Sequence, residues 1–424
     1  MKYFGTDGIR GIVSEKIDEK LLKKVANAII AYYNKHKLRK VLLIGNDTRI
    51  SSDFLLSNLE SVLLKHGITT EDVGYCSSPC LAYLTQKHKY PLGLMLSASH
   101  NPAEYNGLKF FNSNGEKVSD DFEKEFEQLM DKKHNFKIEY TKRKDVSKLK
   151  KDYIAHLKSY IKNDLEFIYD CANGGTSEIC KHLFPHQEKI NCHPLGHNIN
   201  KNAGCTHIEF LKLQCIKKQK IGFAFDGDGD RIAVVNKNGE VITGDKILYI
   251  LSSFFQAKGD KLVGTIYTDS GLESVLHKRG LKLLRANVGD KNVYCTMQAE
   301  NSILGGEDSG HIILKKFANT GDGVLCSIVL SNLLKLSNKT LSELLKGYVE
   351  YYQARANLKV KENFIVTENL VKEMKKLEHK DARIIIRPSG TEPVLRLFVE
   401  HKNKENAQKF LKIIENLIKN EENL

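Results

Sequence analysis

Three aspartates separated only by glycines, Asp226-Gly-Asp-Gly-Asp-Arg231, carry the strongest chemical signal in this chain. They follow Gly222-Phe-Ala-Phe225, an apolar run that reads as a buried strand delivering Asp226, Asp228 and Asp230 to its end. Carboxylates this close repel one another unless a cation sits among them, and the glycines permit the tight backbone that lets their oxygens converge. Hard oxygen ligands at such density select Mg2+ or Ca2+ over zinc. An EF-hand also begins with aspartates at alternate positions. Here Arg231 stands where its loop requires glycine, and Lys237 where it requires a bidentate glutamate. Three carboxylates leave open positions on an octahedral Mg2+, which suits a metal that must also hold a phosphate oxygen. A solvated acidic turn is the bland alternative, and the buried strand before it argues against that.

Three further loops carry chemistry. Ser97-Ala-Ser-His-Asn-Pro102 follows a strand; its small residues leave the Ser99 hydroxyl accessible, and Pro102 stiffens the turn. Alone, such a serine is more often a turn residue than a nucleophile, and the loop lacks the G-x-S-x-G elbow of serine hydrolases. Downstream, Lys109 in Asn106-Gly-Leu-Lys-Phe-Phe111 is a cation able to return to the same pocket. Gly305-Gly-Glu-Asp-Ser-Gly-His311 places Glu307, Ser309 and His311 on a glycine-flexed turn suited to reading sugar hydroxyls. Arg387-Pro-Ser-Gly-Thr-Glu-Pro393, with Arg396 beyond it, combines two arginines, the hydroxyls of Ser389 and Thr391, and a backbone opened at Gly390. That is a phosphate cradle. Gly5-Thr-Asp-Gly-Ile-Arg-Gly11 puts Arg10 in another donor-rich segment, whereas Asp47 and Arg49, closing a strand, read as a structural pair.

The elements that must position these loops alternate between helix and strand. Leu21, Leu22, Val25, Ala26, Ile29, Ile30 and Tyr33 recur at helical spacing, and Lys40–Gly45 follows as a short apolar strand. Leu55, Leu59, Val62 and Leu63 predict a second helix, and Leu92–Leu96 a second buried strand. The pattern restarts near Phe167, Lys261 and Arg383, which argues an α/β protein of four units. Expected boundaries are 1–138, 139–238, 239–352 and 353–424. The first falls in the basic stretch Lys137–Lys151, read as a solvated linker, and the second at the turn Asn236–Gly239. The last unit is small, with strands near Arg383–Arg387 and Leu395–Val399 and a helix burying Ala407, Phe410, Leu411, Ile414, Leu417 and Ile418.

Composition bounds the partners. The chain has 424 residues, 41% hydrophobic and 28% charged, with a net charge of +13. That excludes intrinsic disorder and a disulfide mini-protein, and favours anionic ligands. A polyanion-binding role would leave the four loops unexplained, so nucleic acid is not expected as a partner. No run is long and apolar enough to span a membrane, and the opening residues lack a signal-peptide core. Nine scattered cysteines without a paired metal-site spacing read as reduced thiols of a cytoplasmic protein.

Taken in order, GTDGIRG, SASHNP, DGDGDR, the G-E-x-S-G-H loop and RPSGTEP resemble the α-D-phosphohexomutase superfamily over the whole chain. Tyr3–Gly11, Asn106–Phe111, Asp170–Gly175, Val288–Asp290 and Leu304–Glu307 are most similar to the phosphoglucosamine mutases of bacteria. The resemblance implies three related α/β domains with mixed sheets and a small C-terminal α+β domain around a central cleft. It implies that Ser99 carries a phosphoryl group, with Mg2+ bridging that phosphate to Asp226, Asp228 and Asp230. Arg10 and Lys109 would lie near the phosphoserine and Arg231 beside the metal loop. Glu307, Ser309 and His311 would meet the sugar, and Arg387, Ser389, Gly390, Thr391 and Arg396 would hold the non-reacting phosphate. The implied reaction interconverts glucosamine 6-phosphate and glucosamine 1-phosphate through a hexosamine 1,6-bisphosphate, feeding UDP-N-acetylglucosamine and cell-wall precursor synthesis. The same chemistry on glucose or mannose phosphates is the alternative, and bacterial relatives suggest a homodimer. Two departures stand out: Asp308 where the family commonly has Gln, and Lys291 where it has Arg.

Overall fold

A computed structural model describes residues 1–255, 257–361, 367–378, 381–388 and 394–422. They form two compact units, Met1–Thr268 with Gly280–Lys346, and Asp269–Arg279 with Gly347–Leu424. Three mixed sheets belong to the first unit and an antiparallel one to the second.

The first sheet comprises β1 (Ile9–Ile12), β2 (Val41–Asn46), β3 (Thr69–Tyr75), β4 (Leu92–Leu96), β5 (Tyr105–Asn112) and β6 (Lys144–Asp145), in the order β1-β5-β4-β2-β3-β6. β2 and β4 are parallel and buried along their whole length, as their unbroken apolar runs dictate. The helix Glu19–Lys35 covers this sheet. Asp18 caps it by accepting from Leu21 N, and the predicted stripe from Leu21 to Tyr33 is buried. The basic stretch is more than a linker: it supplies β6 to the sheet edge, and Arg143 pairs with Asp72 there.

The second sheet has β7 (Phe167–Asp170), β8 (Glu188–Ile190), β9 (Ile221–Phe225), β10 (Ile232–Val235) and β11 (Val241–Ile242), ordered β11-β10-β9-β7-β8. β12 (Lys261–Thr265), β13 (Lys282–Ala286), β14 (Leu304–Gly306) and β15 (Ile312–Leu314) form the third, ordered β13-β12-β14-β15. In all three sheets the chemically unusual loops leave the C-terminal ends of strands: the serine loop after β4, the acidic loop after β9, and the Glu307–His311 loop after β14. Open α/β sheets bind ligands at that edge.

The second unit contains β16 (Tyr352–Lys359), β17 (Arg383–Pro388) and β18 (Val394–His401), all antiparallel in the order β16-β18-β17. The helix Lys404–Glu422 lays Ala407, Phe410, Ile414 and Ile418 into its core, the face its spacing predicts. All nine cysteines are free thiols, and no helix among the described residues is long and apolar enough to cross a membrane.

Candidate active site

The strand β9 ends at Phe225, and the next five residues turn so that ligand oxygens of Asp226, Asp228 and Asp230 all lie within 4.8 Å of one another. All three side chains are buried. The turn is possible because its neighbours press in without side chains: a Cβ on Gly174 would sit 2.2 Å from Gly227 O, and one on Gly227 would sit 2.6 Å from Ser99 O. The loop Cys171–Gly175 therefore presses on the acidic loop from one side, and the serine loop presses on it from the other.

Ser99 meets this triad directly. Its hydroxyl donates to Asp226 Oδ2 at 2.5 Å, although the two residues belong to different sheets. The Asp226 carboxyl is pushed up to about 8, first by burial and then by the charges of Asp230 and Asp228. Asp228 goes the other way. Burial and Asp230 would raise it, but the Lys109 ammonium at 2.6 Å and the Ser78 hydroxyl hold it below the ordinary carboxylate range. Lys109 Nζ is also 2.9 Å from Asp7 and 3.3 Å from Asp230. Asp228 Oδ1 and Asp230 Oδ1 are buried with no hydrogen-bond partner among the described residues. Two orphaned carboxylate oxygens on a hard-ligand triad fit a divalent cation that prefers oxygen ligands.

Around this centre six side chains close a ring in which basic and acidic groups alternate. Lys109 faces Asp7; Asp7 Oδ1 accepts from Lys117 at 2.6 Å; Lys117 pairs with Asp290; Asp290 is 3.1 Å from His311 Nε2; and His311 Nδ1 is 3.7 Å from Asp230, which returns to Lys109. The His311 imidazole is raised above its ordinary value: burial opposes this, but the charges of Asp290 and Asp230 outweigh it. Asp230, Asp290 and His311 also bring potential ligand atoms within 4.8 Å, yet each carboxylate there already faces a lysine. That group therefore forms part of the ring of paired charges.

The remaining predicted residues distribute as follows. Arg10 on β1 pairs with Asp7. The charges of Asp226, Asp230 and Glu307 all act on Arg231. Glu307 accepts from Gly289 N at 3.0 Å, while Ser309 is exposed on the same loop. Asp308 is half-exposed, and its carboxylate has no partner among the described residues. Lys291 points elsewhere, paired with Asp120 at 2.6 Å and Glu123 at 2.9 Å. In the second unit, Arg387 and Arg396 are direct cross-strand partners on β17 and β18. Ser389, Gly390 and Thr391 lie outside the described residues.

Arg49 is structural, as its position suggested. It is wholly buried, bonded to Asp47 at 2.9 Å, and donates to the carbonyls of Ser99, Asn101, Pro102 and Tyr105. Sequence reasoning did not single out Asp7, Ser78, His100, Lys117, Asn200 or Asp290 for this site. His100 stands out in the sequence only as a neighbour of Ser99; its ring, with Nδ1 buried and unpartnered among the described residues, is pushed down to about 4 by burial and then by Arg231 and Arg10.

Comparison with known proteins agrees with this geometry. Residues 1–137, 243–352 and 343–417 match the family models of phosphoglucomutase/phosphomannomutase domain I, domain III and the C-terminal domain. The chain belongs to this family of phosphohexomutases. It is 37% identical to the phosphoglucosamine mutases of Staphylococcus epidermidis and Staphylococcus aureus, across 98% of this chain and of theirs. Within the family it therefore falls among the phosphoglucosamine mutases. The same fold is seen in a phosphoglucomutase/phosphomannomutase family protein from Burkholderia thailandensis, with a TM-score of 0.77, 20% identity, and 98% and 97% of the two chains covered. Aspergillus fumigatus N-acetylphosphoglucosamine mutase, solved with GlcNAc-6P and magnesium, has a TM-score of 0.67 and 16% identity over 99% of this chain and 96% of that one.

Proposed function

We propose that this chain interconverts glucosamine 6-phosphate and glucosamine 1-phosphate, using Ser99 as a phosphoryl carrier. The observation that carries the reading is the Ser99 hydroxyl at 2.5 Å from Asp226, inside a triad with orphaned oxygens. The identity to phosphoglucosamine mutases supports the amino sugar.

In this reading phospho-Ser99 gives its phosphoryl group to the free sugar hydroxyl. A phosphorus–oxygen bond to the sugar forms, the bond to Ser99 Oγ breaks, and the sugar's hydroxyl proton ends on Ser99 Oγ, which leaves as the neutral hydroxyl that faces Asp226. The resulting 1,6-bisphosphate turns over and returns its other phosphoryl group to Ser99. Such transfer needs alignment and charge neutralisation more than new covalent chemistry. Mg2+ held by Asp226, Asp228 and Asp230 would supply Lewis-acid neutralisation of phosphoryl oxygens. Lys109, facing three carboxylates, suits the role of an ammonium neutralising the moving group, because a neutral amine would leave those charges uncompensated. Arg10 and Arg231 add positive charge beside it. Glu307, Ser309 and His311 would meet sugar hydroxyls, and Arg387 with Arg396, together with Ser389, Gly390 and Thr391, would hold the distal phosphate. The four-domain division at 138, 238 and 352 is part of this proposal, supported by one sheet arising almost entirely within each segment.

The test is the intact mass of the purified protein with one phosphate mapped to Ser99, alongside turnover of glucosamine, glucose and mannose phosphates. Ser99→Ala should lose nearly all turnover while remaining folded. Wild-type turnover in that variant would remove the carrier role, and preference for glucose or mannose phosphate would remove the amino-sugar assignment.

A further inference from the structure

Ser99 occupies the left-handed backbone region, with φ at +52°, a conformation a serine holds only when its surroundings impose it. Besides the Ser97 hydroxyl, which accepts from Ser99 N at 2.9 Å, two side chains grip the carbonyls of this loop. Arg49 donates to Ser99 O at 2.9 Å and Asn101 O at 2.8 Å; Asn200 Nδ2 donates to the same two carbonyls at 2.8 and 2.9 Å. The two clamps come from different places. Arg49 belongs to the loop after β2, in the serine loop's own sheet. Asn200 follows β8 and is anchored by its own N–H on Ala172 O at 2.9 Å, in the loop Cys171–Gly175. That loop in turn bonds the acidic turn, Gly175 N to Gly227 O at 2.8 Å.

We infer that Asn200 is a positioning residue that sets the Ser99 loop in register with the acidic triad, an inference that rests on Ser99 being the phosphoryl carrier. Arg49 fixes the shape of the serine loop. Asn200 fixes where that loop sits relative to Asp226, because it is the side chain that grips the loop from the scaffold of the triad. There is no slack at this junction: a Cβ on Gly227 would lie 2.6 Å from Ser99 O and 2.9 Å from Asn200 Nδ2. The orientation of the amide is dictated too, since reversing it would aim Oδ1 at two carbonyl oxygens. As placed, Asn200 Oδ1 is buried without a partner among the described residues, a cost tolerated for the two donor bonds. In-line phosphoryl transfer is sensitive to small misplacement of the carrier, so the consequence should appear in rate more than in substrate binding.

Two variants separate the amide from the backbone. Asn200 itself has φ +59°, so Asn200→Gly keeps the local conformation and removes the amide, and Asn200→Asp keeps the shape and removes both donors. Full-length dephosphorylated enzyme is incubated with glucose 1,6-bisphosphate and Mg2+, and phosphate arriving on Ser99 is followed by intact mass. Steady-state kcat and KM and the Tm are measured on the same preparations. Expected are phosphorylation and kcat lowered by about tenfold or more in both variants, KM within about twofold of wild type, and Tm within a few degrees. Wild-type rates in Asn200→Gly overturn the inference, as does a rise in KM with kcat unchanged. Should Asn200→Asp fold poorly, Asn200→Gly decides alone. Absence of phosphate on wild-type Ser99 overturns the carrier reading and this inference with it; phosphate on wild type with an unchanged Asn200→Gly rate overturns this inference only.

Discussion

Lys109 Nζ lies 2.6 Å from Asp228 Oδ2, so an ammonium from the first sheet is already seated against the carboxylates of the acidic loop. Both side chains are essentially inaccessible. Replacing Lys109 by Met leaves Asp7, Asp228 and Asp230 without their shared cation, and a broken buried pair costs about 3–5 kcal/mol. Lys109→Met should therefore be destabilised in EDTA. Added Mg2+ should raise its Tm by more than it raises that of wild type, because the uncompensated carboxylates attract the cation more strongly. Thermal melts with and without Mg2+ read both effects. An equal metal response in the two proteins would show that Lys109 and the cation do not share the triad.

Asp228→Asn tests the metal from the other side. The substitution keeps the side-chain volume and removes one charge from the triad. Activity should fall by about a hundredfold or more, and the Mg2+ concentration giving half-maximal activity should rise by about tenfold or more, since hard cations select charged oxygen ligands. An unchanged Mg2+ titration would separate the acidic loop from the metal.

Lys117 ties two halves of the ring, bonded to Asp7 at 2.6 Å and paired with Asp290, which in turn faces His311. Lys117→Met and Asp290→Asn should each lower stability and kcat. Because each removes the other's partner, the double variant should be less damaged than the sum of the singles, by about 1–3 kcal/mol in stability. Strict additivity would mean that the two residues act independently.

What was legible in the sequence was chemistry concentrated within a few residues. Asp226, Asp228 and Asp230 declare themselves by glycine spacing after an apolar strand, whereas the small-residue loop of Ser99 alone reads as a turn and gains its role only through the resemblance. The strands Leu92–Leu96 and Phe167–Asp170 and the stripe of the helix Glu19–Lys35 follow directly from periodicity. Asn200, Lys117 and Asp290 were not legible, because each acts on a segment distant in sequence: Asn200 on Ser99, Lys117 on Asp7, Asp290 on His311. No local pattern distinguishes a turn asparagine from one whose amide grips a remote loop. Lys291 shows the converse. A substitution beside a motif looked relevant to the site, and its side chain is instead engaged by Asp120 and Glu123.

Away from the site, Asp322 makes a pH prediction. It caps the helix Gly323–Ser337 by accepting from Leu325 N at 2.9 Å, and its other oxygen accepts from Tyr153 OH at 2.7 Å. Burial pushes its carboxyl up to about 6, against an ordinary 3.8, so the folded state holds this proton more tightly than the unfolded chain. Its contribution to stability is fully present below the ordinary value and is lost as pH rises through about 6. Asp170, also raised to about 6 by burial, acts in the same direction. His100 opposes both: pushed down to about 4, it loses stability as pH falls from its ordinary 6.5. Asp322→Asn imitates the protonated carboxyl and keeps an acceptor for Leu325 N. The variant should exceed wild type in stability by up to roughly 3 kcal/mol at pH 8 and converge on it near pH 4. Thermal melts of the two proteins across that range measure the gap. A gap that stays constant with pH would mean that Asp322 is not the titrating group.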